Sequence, residues 1–191
     1  IERLRKDQED ETRIIRESAL LRVRELLVGK SAANRVADER RKEAPRDANA
    51  HYMYAFALGR YRQSISVAKA LAQGLGGRIK EALLTAIKLE PKHADANIGY
   101  GSYQAEVIDK VGALVGGMTY GAKKDSAVEH FQKAVKLFPE AAIAHIEYAN
   151  GLIMLYGKAK LAEAQAVYEQ AAACKPADAM ERLDVERAKS E

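Results

Sequence analysis

Ala127-Val128-Glu129-His130-Phe131-Gln132-Lys133-Ala134-Val135-Lys136-Leu137-Phe138-Pro139 is the stretch on which the reading of this chain turns. Ala127, Phe131 and Ala134 stand twelve, eight and five residues before the proline. At helical pitch these three share one face. Two small residues flanking a large one let a neighbouring helix approach closely, and the proline ends the helix where no internal hydrogen bond is lost. The same order recurs as Ala164, Tyr168, Ala171 and Pro176, and as Ile79, Leu83, Ala86 and Pro91, where a large residue replaces the first small one. Counting forward, Tyr100-Gly101 lies nine and ten residues beyond Pro91, and Tyr148-Ala149 keeps those offsets from Pro139, with Leu152 three residues further on. A large-small pair followed by a large residue suits the first helix of a packed hairpin.

Composition agrees with an all-helical chain. Of 191 residues, 48% are hydrophobic, only four are proline and none is tryptophan, a content rich enough to bury a core. The single cysteine excludes a disulfide scaffold. Thirty-one Lys and Arg against 27 Asp and Glu leave a net charge of +4. These charges are interleaved (Arg3, Asp7, Glu9, Arg13, Arg16, Glu17) rather than gathered, so no nucleic-acid surface is expected. The longest mostly apolar stretch, Val111 to Met118, falls far short of the roughly 20 residues of a membrane helix. The chain opens at Ile1 rather than Met, which suggests trimming. The expected location is cytoplasmic, or periplasmic if a leader was removed upstream.

The small-large-small-proline pattern resembles the tetratricopeptide repeat family, whose unit is a helix-turn-helix of about 34 residues. The resemblance covers about residues 47–191 and implies a right-handed superhelical array of antiparallel helix hairpins. Units are expected at about 47–91, 92–139 and 140–176, with a polar capping helix over 177–191. The prolines are 48 and 37 residues apart, so extra residues must sit inside the units, most simply as longer helices, with turns near Gly76-Gly77 and Gly116-Gly117. Gly101-Ser102-Tyr103-Gln104-Ala105-Glu106-Val107, then Tyr120-Gly121-Ala122, resembles the long-helix repeats of the regulator-of-microtubule-dynamics family and its bacterial relatives. Residues 1–45 read as a separate N-terminal segment. There, Ile15, Ala19, Leu20, Val23, Leu26 and Leu27 recur at helical spacing between Ile14 and Val28, and the charged stretch from Ala37 to Asp47, with Pro45, reads as a boundary.

A search for chemistry returns only packing roles. His51, His93, His130 and His145 lack metal-ligand spacing, so neither metal nor cofactor is expected. His145 reads as a structural histidine, and His93 as a residue at a helix start. Cys174 fills the slot of Leu89 and Leu137 and reads as a small hydrophobe. Gly29-Lys30-Ser31 lacks the glycine five residues earlier that a phosphate loop needs, because position 24 is Arg. Glu106 and Lys110 are spaced for a surface ion pair, and Ser126 and Glu129 for a capping box. No catalytic residue is assigned, and an enzyme is not expected.

In the family the first helix of each unit lines a concave face. The resemblance places ligand-facing positions at Asp95, Ile98, Ser102, Ala105 and Glu106 in the second unit, and at Ile143, Ile146, Asn150, Ile153 and Met154 in the third. It implies a non-catalytic interaction scaffold that takes a partner peptide or helix in a partly apolar groove. Ile98 and Ile146 stand where a carboxylate clamp needs basic residues, which disfavours a chaperone-tail receptor. The groove could equally be covered by the chain's own Ile14–Val28 helix or by another copy of the protein. The alternative function is a periplasmic transport accessory that binds a small apolar ligand or another transporter subunit.

Overall fold

The computed structural model describes residues 29, 31–66, 69–70 and 73–191. The predicted helix from Ile14 to Val28 lies outside them. The described elements are helices α1 (31–43), α2 (Ala48–Arg62), α3 (Leu75–Leu89), α4 (Ala94–Val111), α5 (Lys124–Leu137), α6 (Ala142–Tyr156), α7 (Leu161–Ala173) and α8 (Ala179–Ala188), and no strand occurs among the described residues. The pairs α2/α3, α4/α5 and α6/α7 pack as hairpins. The first and second hairpins meet mainly through α3 against α4, the second and third through α4 and α5 against α6, and α8 packs on α6 and α7. This is a stacked array of antiparallel helix hairpins.

The alanines of the proline signature are the crossing points. Ala86, Ala127, Ala134 and Ala171 are fully buried and Ala164 is 1% exposed. Between them sits Phe131, also fully buried, with its ring between Gly101 of α4 and Gly151 of α6. A Cβ at Gly101 would stand 3.0 Å from that ring, and one at Gly151 would overlap it. Leu152, Tyr168 and Val185 complete this C-terminal core. A second core joins Tyr54, Leu58, Leu75, Ile79 and Leu83 to Tyr100 and Tyr103 of α4. Helix α4 thus belongs to both.

Each proline starts the same turn, and Pro45 is one of them. The residue two places after Pro45, Pro91, Pro139 and Pro176 is the N-cap of α2, α4, α6 and α8, with extended backbone in every case. Asp47 Oδ1 accepts from Asn49 N at 2.9 Å, His93 Nδ1 from Ala96 N at 3.3 Å, and Asp178 Oδ1 from Glu181 N at 2.8 Å. Each such cap contributes about 1 kcal/mol. Six residues after three of the prolines a buried polar side chain turns back. His51 Nε2 donates to Pro45 O at 3.0 Å, Asn97 Nδ2 to Pro91 O at 3.4 Å, and His145 Nε2 to Pro139 O at 2.8 Å. Because a carbonyl only accepts, the proton of each ring must sit on Nε2. His145 is therefore structural, as its place in the repeat implied.

Three readings from the sequence need correction. The stretch from Ala37 is no mere boundary: residues 31–43 are helical, and Arg41 lies 4.2 Å over the Tyr54 ring of α2. The extra length of the second unit lies mostly in its connector, 112–123, compared with 157–160 in the third. That connector holds a short helix, Ala113–Val115, and a π-helical turn, Gly116–Tyr120, and Gly121 leaves it in the left-handed region at φ 68°. Lys80 Nζ donates to Tyr120 O at 2.7 Å and holds the turn against α3. Ser126 does not cap a helix, since α5 begins at Lys124. Its hydroxyl accepts from Gln104 Nε2 at 3.2 Å, while Gln104 Oε1 accepts from Lys123 N at 3.2 Å.

Two substitutions test this packing. Ala134→Asp buries an unpaired carboxylate at a crossing and should lower stability by about 3 kcal/mol or more. Gly151→Ala presses a methyl into the Phe131 ring and should cost about 1–3 kcal/mol. Chemical denaturation measures both, and parental midpoints would contradict the assigned crossings.

Candidate functional site

An open cleft of about 310 Å³ lies between α2, α4 and α6. It exists because α2 meets α4 over only a short stretch, whereas α6 runs along α4 closely. Its apolar lining comes from Tyr52, Phe56, Ile98 and Ile143, and its charged residues are Arg60, Arg62, Asp95, Glu106 and Glu147. Tyr52 sits centrally, its ring 5.1 Å from His93 and 6.2 Å from Phe56.

The cleft gathers five of the residues expected from the sequence: Asp95, Ile98, Ser102, Glu106 and Ile143. The others are elsewhere. Ile146 and Ala105 are fully buried, so neither can touch a ligand. Ile146 is lost to the core because the close approach of α6 to α4 leaves no space above it. Asn150 Oδ1 accepts from the Tyr168 hydroxyl at 2.7 Å, which binds α6 to α7. Ile153 and Met154 are 37% and 41% exposed, but they do not line this cleft.

Sequence reasoning missed the whole contribution of α2. Treated as a fourth repeat proline, Pro45 yields Asn49, Tyr52, Phe56, Gly59 and Arg60 at the same forward offsets used for the other units. Four of those five line the cleft. Glu147 was missed because it falls between the family's offsets. It accepts a hydrogen bond from Ser102 Oγ at 3.1 Å and so joins α6 to α4 across the cleft.

The cleft's charge balance is set by two pairings. Glu106 forms an ion pair with Arg62 of α2 rather than with Lys110, which bonds Asp109. Arg62 is thereby neutralised. Asp95 and Glu147 remain beside Tyr52, whose hydroxyl is pushed up to about 12, first by burial and then by the fields of these two carboxylates. With Arg60 the remaining cation, the lining carries one more carboxylate than cation, although the chain is positive overall.

Behind the cleft, Asn97 fixes the start of α4. Its Oδ1 faces His130 Nδ1 at 2.9 Å, and the His130 ring meets Tyr100 edge-on at 4.9 Å. Burial holds His130 below its ordinary value of 6.5, with Lys133 adding to the effect. Cys174 packs partly against the C-terminal core, with Sγ 3.4 Å from Gln170 O, and burial pushes its thiol up. Among the described residues no three His, Cys, Asp or Glu side chains gather as a metal site. No described helix is long and apolar enough to cross a membrane.

The fold has a counterpart among solved structures. The crystal structure of a thermophilic TPR protein in Thermus thermophilus is similar over 86% of this chain and 75% of that one, at a TM-score of 0.59 and 18% identity. That likeness defines the class, a tetratricopeptide-type helical array. No family model and no curated protein sequence matches the chain.

Two titrations test the electrostatics. Asp95→Asn and Glu147→Gln should each lower the Tyr52 pKa, read by NMR of ring-labelled tyrosine, and an unchanged Tyr52 would contradict the negative opening. For His130, the unfolded chain takes up the proton first as pH falls. Its contribution is thus intact above about pH 6.5 and is lost as pH drops towards the folded pKa. Urea denaturation between pH 7.5 and 5.5 should show a smaller stability loss in His130→Gln than in the parent.

Proposed function

We propose that the protein is a non-catalytic interaction scaffold whose α2–α4–α6 cleft takes a short segment of a partner protein. The observation that carries this is an apolar floor of Tyr52, Phe56, Ile98 and Ile143 beneath two unneutralised carboxylates, Asp95 and Glu147. Such a cleft suits a peptide or helix that presents a Lys or Arg between apolar side chains: burial of the apolar groups supplies affinity, and the charge supplies selection. A transport accessory holding a small apolar ligand calls for an enclosed apolar cavity, whereas this cleft is open and rimmed with charge. The working units are 47–91, 92–139 and 140–176, with 177–191 as the cap, and the long α4 with its π-turn connector is what resembles the regulator-of-microtubule-dynamics repeats.

Selection of a displayed random-peptide library on the full chain tests this reading. Enriched peptides should carry a basic residue flanked by apolar ones. Asp95→Lys with Glu147→Lys should weaken them at least tenfold, a loss of about 1.4 kcal/mol, while Met154→Asp outside the cleft leaves them unchanged. Binders indifferent to the double substitution, or no binders at all, would overturn it.

A further inference from the structure

The links that join the two helices of each hairpin, 63–74, 112–123 and 157–160, carry Lys69, Lys123, Lys158 and Lys160 and no Asp or Glu. The proline turns at the opposite edge, 44–47, 90–93, 138–141 and 174–178, mix Arg46, Lys92 and Lys175 with Asp47, Glu90, Glu140 and Asp178. Charge is thus sorted by edge, although it is interleaved along the chain. Two bonds hold the links side by side. Lys80 of α3 donates to Tyr120 O in the second link, and Lys124 of α5 donates to Leu155 O just before the third. A carbonyl leaves an ammonium its charge, so both lysines add to the edge. Glu163 pairs with Lys160 and Asp109 with Lys110, whereas Lys69, Lys123 and Lys158 have no ion pair among the described residues. Against them stands Asp125, in the first turn of α5.

The same edge carries the two most exposed large apolar side chains of the described residues, Met118 at 83% and Leu114 at 77%, with Val115 between them at 50%. They stand out because the connector packs by its glycines. Gly116 is buried, and a Cβ there would lie 3.2 Å from Val107. Ala122 N donates to Gly116 O at 3.1 Å, which together with the Lys80 bond pins the inner side of this knuckle. None of the three apolar residues lines the α2–α4–α6 cleft. A protruding apolar point among unpaired lysines is complementary to a surface that is negative outside and apolar within. We propose that this edge seats the protein on an anionic lipid bilayer. Leu114, Val115 and Met118 enter the headgroup boundary, and Lys69, Lys123 and Lys158 lie among the headgroups. A bilayer needs no pocket cut to receive such a point.

Co-sedimentation of the full chain with vesicles of phosphatidylcholine and phosphatidylserine in equal parts tests the seating, with phosphatidylcholine vesicles as the reference. Binding should be at least tenfold stronger to the mixed vesicles and should fall as salt is raised. Leu114→Asp with Met118→Asp, and separately Lys123→Gln with Lys158→Gln, should each weaken it at least fivefold. Lys92→Gln with Lys175→Gln, at the proline edge, should leave it unchanged. All six side chains are exposed, so circular dichroism should show each variant folded. In a Cys174→Ser background, a polarity-sensitive dye on Met118→Cys should shift its emission to shorter wavelength on the mixed vesicles. Absence of binding to the mixed vesicles, or binding indifferent to both edge pairs, would overturn the proposal. So would a dye shift that follows protein concentration instead of lipid, which would put a second copy on this edge.

Discussion

The ring of Phe131 sets the spacing of the array. It lies between Gly101 and Gly151 and stacks on Tyr148 at a centroid distance of 5.9 Å, so α4, α5 and α6 must converge on one aromatic side chain. A Cβ at Gly151 would overlap the ring, and one at Gly101 would press on it at 3.0 Å. That convergence drives Ile146 into the core and closes the concave surface between α4 and α6. On the opposite side of α4, two residues before Gly101, the corresponding large residue is Leu83, pressed against Gly99, and α2 parts from α4 instead of running along it. The cleft is thus the counterpart of the tight crossing: where the helices do not converge, space is left between them.

The proline turns fix the phase of everything else. A proline, an extended N-cap two residues later and a buried polar group six residues later recur at three successive hairpin starts, and each closes a loop through the proline carbonyl. One such bond contributes only about 1 kcal/mol. Its larger effect is to fix how far each first helix is rotated, and therefore which offsets face the cleft. Asn97 does this for α4, with His130 on its other side, and Asp95, Ile98 and Ser102 follow from that rotation.

Much of this was legible in the sequence, and the limits have physical causes. The alanine crossings and Phe131 could be read because small-large-small spacing leaves a helix face few other uses. Asp95, Ile98, Ser102, Glu106 and Ile143 could be carried over because α4 and the start of α6 keep the repeat's phase. Ile146 could not, since its burial depends on how near α6 comes to α4, and no local pattern records that distance. The α2 side of the cleft went unread because Pro45 sits in a charged stretch that looks like a linker. Its turn chemistry, Pro45-Arg46-Asp47 with His51 six residues on, was the missed signal. The connector 112–123 was misjudged because a π-helical turn has no sequence signature of its own.

The electrostatics of the cleft run against those of the chain. Lys and Arg outnumber Asp and Glu by 31 to 27, yet Asp95 and Glu147 line the cleft while Arg62 is taken by Glu106. With Arg62 paired to Glu106, the lining keeps Asp95 and Glu147 against Arg60, an excess of one carboxylate beside the low-dielectric side chain of Tyr52. On the proposed reading, a basic segment would be drawn to this opening rather than to the mixed charges elsewhere. Selectivity of this kind needs few contacts, because it is a difference between two affinities.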